Sequence, residues 1–125
     1  MSAAKKTIIV IEDEQEAAEM FAEMMRVSGF RVLKASGSNT AMKMIETEKP
    51  AAVILDIMMP DVSGLEVLRF MRGKPKLARI PVVVVSAKSM PSDIRIGLEA
   101  GASVYLTKPV GYLDLKEAVE KALGA

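Results

Sequence analysis

The sequence predicts an α/β domain in which helices cover both faces of a parallel sheet. Two observations carry that expectation. Five short runs rich in β-branched residues alternate with stretches whose apolar residues recur at helical spacing, the pattern of consecutive βα units. Two of those runs, AAVIL at 51–55 and PVVVV at 81–85, are almost wholly apolar, as central strands buried on both sides must be.

Each element has its own local reason. The first run, Thr7–Ile11, leads into a helix with Ala17, Phe21, Met24 and Met25 on one face, stopping near Gly29. The second, Phe30–Ala35, carries Arg31 and Lys34 among its apolar residues, which suits an exposed edge. Its helix begins with Ser38 or Asn39 as N-cap and ends before Pro50. The third run, Ala51–Leu55, meets Asp56 and then turn chemistry at Met59-Pro60-Asp61 and Ser63-Gly64. A helix follows with Leu65, Leu68 and Phe70-Met71, ending at Gly73. RGKPKLARIP then reads as a basic, solvated loop before the fourth run, Pro81–Val85. The fourth helix opens with Pro91-Ser92-Asp93 and closes at Gly101. Ser103–Leu106 is the fifth run, and the last helix spans about Asp114 to Leu123.

A chain of 125 residues reads as one domain, 1–125, large enough to bury a core. Only 4% of it is aromatic, so aliphatic side chains and methionines, among them Met20, Met24, Met25, Met42, Met44 and Met71, are expected to fill the interior. Seventeen basic against 16 acidic residues give no electrostatic case for nucleic acid or a membrane surface. The absence of cysteine removes disulfides and thiol chemistry and makes the cytoplasm the default compartment. The N-terminal apolar stretch, Ile8–Ile11, is too short for a signal peptide or a membrane span. With no histidine, the usual general base and commonest metal ligand are missing, so any metal must be held by oxygen: magnesium, calcium or manganese.

In open α/β sheets, ligands bind outside the carboxyl ends of the strands. Those ends carry Glu12-Asp13, Asp56, Ser86-Ala87 and Thr107-Lys108-Pro109, which would share one rim. Two carboxylates ~4 Å apart repel by roughly 4 kcal/mol at an effective dielectric of ~20. A proton or a cation must fill the gap, and oxygen donors with phosphate chemistry in view favour Mg²⁺. Lys108 would keep Asp56 ionised and able to act as a nucleophile. A phosphoryl group on Asp56 would bring its oxygens within reach of the metal, Lys108, Ser86 and the Ala87 backbone N–H.

Taken in order, EDE after the first strand, LDIMMPDVSG, VVSAK and GASVYLTKP resemble the receiver domain of two-component response regulators, over essentially the whole chain. The resemblance implies a flavodoxin-like (βα)5 three-layer sandwich with a five-stranded parallel sheet in the order 2-1-3-4-5. It implies a phosphoacceptor switch, not an enzyme beyond its own phosphorylation and dephosphorylation. Asp56 would accept phosphate from a histidine kinase or a histidine phosphotransfer protein. Glu12, Asp13, Asp56 and the backbone carbonyl of Met58 would surround Mg²⁺, with Mn²⁺ as a substitute. Ser86 corresponds to the switch hydroxyl, Tyr105 to the switch aromatic and Lys108 to the phosphate-binding lysine, with Lys108-Pro109 cis. Phosphorylation would draw Ser86 toward the new oxygens and let Tyr105 turn into the vacated space. The surface of the fourth helix, fifth strand and fifth helix would shift as a result. Because the chain ends about where that last helix ends, output is expected through a downstream partner or through competition for phosphoryl groups, and not a DNA-binding or catalytic domain of its own. A monomer or a phosphorylation-promoted homodimer is expected.

Departures from the family pattern are mild. The acidic pair is Glu-Asp where Asp-Asp is usual, and Ser86 stands where Thr is common. Met58 and Lys88 occupy positions where the family varies, and an apolar Met58 is expected to screen the acyl phosphate from water. Three rival classes fit less well. A hydrolase working through an aspartyl phosphate would need a second acid where Met58 stands. An FMN carrier would need a Ser/Thr/Gly-rich phosphate loop where EDEQE stands. A receiver-like module that is never phosphorylated usually loses the aspartate, the acidic pair or the lysine, and this chain keeps all of them.

Overall fold

The computed structural model describes residues 5–59 and 63–124. Strands and helices alternate: β1 (Thr7–Ile11), α1 (Gln15–Val27), β2 (Arg31–Ala35), α2 (Ser38–Glu48), β3 (Ala52–Leu55), α3 (Gly64–Arg72), β4 (Val82–Ser86), α4 (Pro91–Glu99), β5 (Val104–Thr107) and α5 (Tyr112–Gly124). All strand pairs are parallel, in the expected order β2-β1-β3-β4-β5. β1 is shared by two neighbours, so that Ile9 lies opposite both Leu33 and Val53.

Alternation of side chains along each strand divides the core into two layers. Ile9, Ile11, Val53, Leu55, Val82 and Val84 face one way and pack with Ile45 of α2 and Leu68 and Met71 of α3. Ile8, Val10, Ile54, Val83 and Val85 face the other way, against Phe21 and Met25 of α1 and Leu115 and Val119 of α5. Every residue of β3 and β4 is buried, whereas β2 and β5 are part-exposed edges. The charged residues Arg31 and Lys34 are thus where an edge tolerates them.

Several boundaries and burials differ from the sequence reading. The N-cap position of α2 is Gly37, not Ser38 or Asn39; Ser38 is the first residue of the helix and is buried. Helix α5 starts at Tyr112, which places Asp114 in the first turn, where a carboxylate complements the helix dipole. Ser63, read from the sequence as a turn residue, caps α3, its Oγ accepting a 3.2 Å bond from the Leu65 N–H, while Pro60 and Asp61 lie outside the described residues. The segment from Arg72 to Pro81 is not simply solvated. The Arg72 guanidinium donates to the carbonyls of Gly101 (2.8 Å), Ile80 (2.8 Å) and Ala78 (3.2 Å), and Leu77 is buried. Nor are the methionines uniformly core: Met25 and Met71 are fully buried, but Met20 is exposed on α1. No helix among the described residues is long and apolar enough to cross a membrane.

Candidate functional site

The sheet itself places the site, because its hydrogen-bond ladder continues one residue past three strand ends. The Glu12 N–H donates to the Ala35 carbonyl (3.1 Å) and the Asp56 N–H to the Ile11 carbonyl (3.0 Å). Likewise the Lys108 N–H donates to the Ser86 carbonyl at 2.8 Å. Three side chains distant in sequence are therefore held by backbone bonds to neighbouring strands. A rigid sheet positions them more closely than a loop would.

The start of α3 presses on the same point. The Gly64 N–H donates to the Ile57 carbonyl at 2.8 Å. A Cβ on Gly64 would lie 2.5 Å from the Asp56 carbonyl oxygen and 2.6 Å from the Ile57 Cα. Only glycine permits this approach of helix to backbone. Sequence reasoning assigned Gly64 to turn chemistry alone and missed its support of Asp56.

Glu12, Asp13 and Asp56 each bring a carboxylate oxygen to within 4.8 Å of the others. Glu12 and Asp56 are buried; Asp13 is exposed and opens the cluster to solvent. Lys108 Nζ lies 2.8 Å from Glu12 Oε1 and 3.1 Å from Asp56 Oδ2, bridging the two buried acids. The other Asp56 oxygen accepts a 2.9 Å bond from the Met58 N–H. Burial pushes the Glu12 carboxyl up, the neighbouring Asp56 adds to the shift and the Lys108 ammonium opposes it. Burial alone would lower Lys108, but its bonds to Glu12 and then Asp56 outweigh that and raise it, so it remains an ammonium.

The donor chemistry fits a hard divalent cation. All three side chains offer carboxylate oxygen, and one ammonium leaves two of their three negative charges uncompensated. Imidazole and thiolate ligands are absent, because the chain has neither histidine nor cysteine.

The remaining predicted residues form a second group beside the first. Ser86 is buried, and its Oγ accepts a 3.1 Å bond from the Lys88 N–H. The Tyr105 hydroxyl donates to the Lys88 carbonyl at 2.8 Å, so Lys88 joins the two. Burial raises the Tyr105 hydroxyl above its ordinary value. Ala87 is exposed, Met58 is half exposed and Lys108-Pro109 is cis.

Known proteins share this architecture. The family model of the response regulator receiver domain matches residues 8–120. The alkaline phosphatase synthesis transcriptional regulatory protein PhoP of Bacillus subtilis is 34% identical over 118 residues, covering 94% of this chain and 48% of that protein. The polar-differentiation response regulator DivK of Brucella anthropi is 27% identical over 119 residues, covering 95% of this chain and 97% of DivK. The chain thus spans about half the length of the transcriptional regulator and nearly all of DivK. A crystal structure of a response regulator from Chloroflexus aurantiacus superposes with a TM-score of 0.93 at 28% identity, covering 98% of this chain and all of that one.

Proposed function

The chain belongs to the response regulator receiver domain family, and from that premise we propose that Asp56 is its phosphoacceptor and Lys108 the cation that holds the phosphoryl group. One observation carries the assignment: Asp56 is the buried carboxylate that shares Lys108 with Glu12 at the mouth of the sheet, inside the cluster completed by Asp13.

The chemistry follows from that geometry. Receiver domains exchange phosphoryl groups with histidine kinases or phosphotransfer proteins. An Asp56 carboxylate oxygen attacks the phosphorus of the donor phosphohistidine. The new O–P bond forms as the P–N bond breaks, and the departing imidazole nitrogen keeps the bonding pair and takes a proton from solvent. Lys108 stabilises the attacking carboxylate before transfer and an anionic phosphoryl oxygen after it. Ser86 and the Ala87 N–H stand on the neighbouring strand end to receive two more oxygens. Glu12, Asp13, Asp56 and the Met58 carbonyl would hold Mg²⁺, with Mn²⁺ an acceptable substitute for the same oxygen set. When bound, that ion supplies positive charge that offsets the carboxylates and the incoming phosphoryl oxygens.

Once the bond is made, Ser86 Oγ leaves Lys88 for the phosphoryl group, and the strand-end link to Tyr105 changes with it. Phosphorylation matters only through the state that it stabilises more. The output surface is that of α4, β5 and α5, where Met90, Ile96, Leu98 and Leu113 are exposed for a downstream protein.

Labelling by acetyl phosphate with Mg²⁺ tests the acceptor. The wild-type chain should incorporate phosphate and Asp56→Asn should not. Equal incorporation by both would reject Asp56.

A further inference from the structure

Helix α4 contains a glycine in its interior, where glycine is the poorest residue after proline. Gly97 is also the one buried residue of that helix. A Cβ built on it would lie 2.7 Å from Cδ2 and 2.8 Å from Cε2 of the Tyr105 ring, and 3.8 Å from the Ile57 Cδ1. Those ring atoms cannot yield like the end of a flexible side chain. They are anchored on β5 at one end, and at the other by the hydroxyl's 2.8 Å bond to the Lys88 carbonyl. Ile57, the third member of the contact, directly follows Asp56.

We infer that Gly97 is a positioning residue for Tyr105. Its missing side chain is the notch that lets α4 lie on the ring while the hydroxyl holds the Lys88 carbonyl. The seat of α4 and the position of the ring are then one variable. With any Cβ at 97, either the helix lifts from the sheet or the ring swings out and gives up Lys88. The inference rests on the proposed function only for its signalling consequence; the packing relation can be tested apart from it.

The first test is a stability cycle of Gly97→Ala, made with Tyr105 present and with Tyr105→Ala, read by urea denaturation. Without the ring, alanine at 97 has room and gains its helical preference, raising the folding equilibrium constant about fivefold. With the ring present that gain should vanish or reverse, leaving the two backgrounds at least about fivefold apart. Should Gly97→Ala fail to fold while the double variant folds, that is the same coupling at its extreme. Effects that agree within twofold in both backgrounds overturn the inference, as does failure of both to fold.

The second test separates positioning from mere support. Gly97→Ala should take phosphate from acetyl phosphate within about twofold of wild type, because it touches none of the reacting groups. The amide resonances of Ile96 and Leu98 should nevertheless lose their response to beryllofluoride with Mg²⁺. An undiminished response overturns the inference. If the wild-type chain takes no label at all, the acceptor reading falls, yet the stability cycle still judges Gly97.

Discussion

Lys108→Met isolates the electrostatics of the site, because the methionine keeps much of the stem and removes the ammonium. Two buried carboxylates then face each other uncompensated. Unit charges 4.8 Å apart, the upper limit of the cluster, repel by about 3.5 kcal/mol at an effective dielectric of ~20. The protein has one escape, which is to protonate Glu12, already pushed up by burial. From the ordinary value of 4.5, taking up that proton at pH 7 costs at most about 3.4 kcal/mol. The two routes cost alike, so the variant should lose about 3 kcal/mol at pH 7 in EDTA, the low end for breaking a buried pair. At pH 5 the proton costs about 0.7 kcal/mol, and the loss should shrink to about 1 kcal/mol. The sign is fixed by linkage: the folded variant binds a proton that the unfolded chain releases, so lowering the pH favours it. Lys108 itself titrates far above this window, its contribution being complete below its unfolded value and lost only as pH rises through its raised folded one. Urea denaturation at both pH values measures the effect, and Mg²⁺ should raise the midpoint more in the variant than in wild type. A loss under about 1 kcal/mol at pH 7, or one that does not shrink at pH 5, would refute the reasoning.

Three further outcomes are expected. Gly64→Ala drives a Cβ into the Asp56 backbone, so it should cost about 1–3 kcal/mol in urea denaturation and slow labelling of Asp56; an unchanged midpoint would show that α3 is free to retreat. Met58→Asn replaces a half-exposed apolar side chain beside Asp56, and the phosphorylated half-life should shorten; an unchanged half-life rejects the screening role. Glu19, held down to about 2 by Lys34 and then Arg26, contributes stability above its ordinary 4.5 that is lost as the pH falls toward about 2. Glu19→Gln should flatten that acid decline, and parallel pH profiles for variant and wild type would contradict it.

Much of this was legible in the sequence, for reasons that can be assigned residue by residue. Unbroken apolar runs identified β3 and β4 as central, and charges within FRVLKA identified β2 as an edge. Because parallel strands all point one way, knowing their ends was enough to collect Glu12, Asp56, Ser86 and Lys108 on one rim. What escaped depends on tertiary approach. Gly64 read as a turn residue and Gly97 drew no reading at all, because nothing local shows a backbone or a ring against them. Arg72 read as surface because its partners are backbone carbonyls, two in the loop that follows it and one at distant Gly101, which no charge pattern reveals. The N-cap of α2 was misplaced because extended backbone ends at Gly37 and Ser38 already belongs to the first turn.

The distribution of burial explains why α4 can be the moving part. Helices α1, α3 and α5 each bury four residues, α2 buries three and α4 buries Gly97 alone. A two-state element must keep its alternatives within a few kcal/mol of each other, or no ligand could reverse their populations. Shifting α1 or α5 would open the layer around Phe21 and Leu115, at several kcal/mol for each large side chain uncovered. Shifting α4 uncovers no fully buried large side chain of its own and exchanges chiefly the contact with one ring and the bond from Tyr105 to Lys88. A single charge-assisted hydrogen bond from Ser86 to a phosphoryl oxygen, roughly 1.5–3 kcal/mol, is of the size needed to decide between such states. The same bond would be lost in the noise had α4 been seated as firmly as its neighbours.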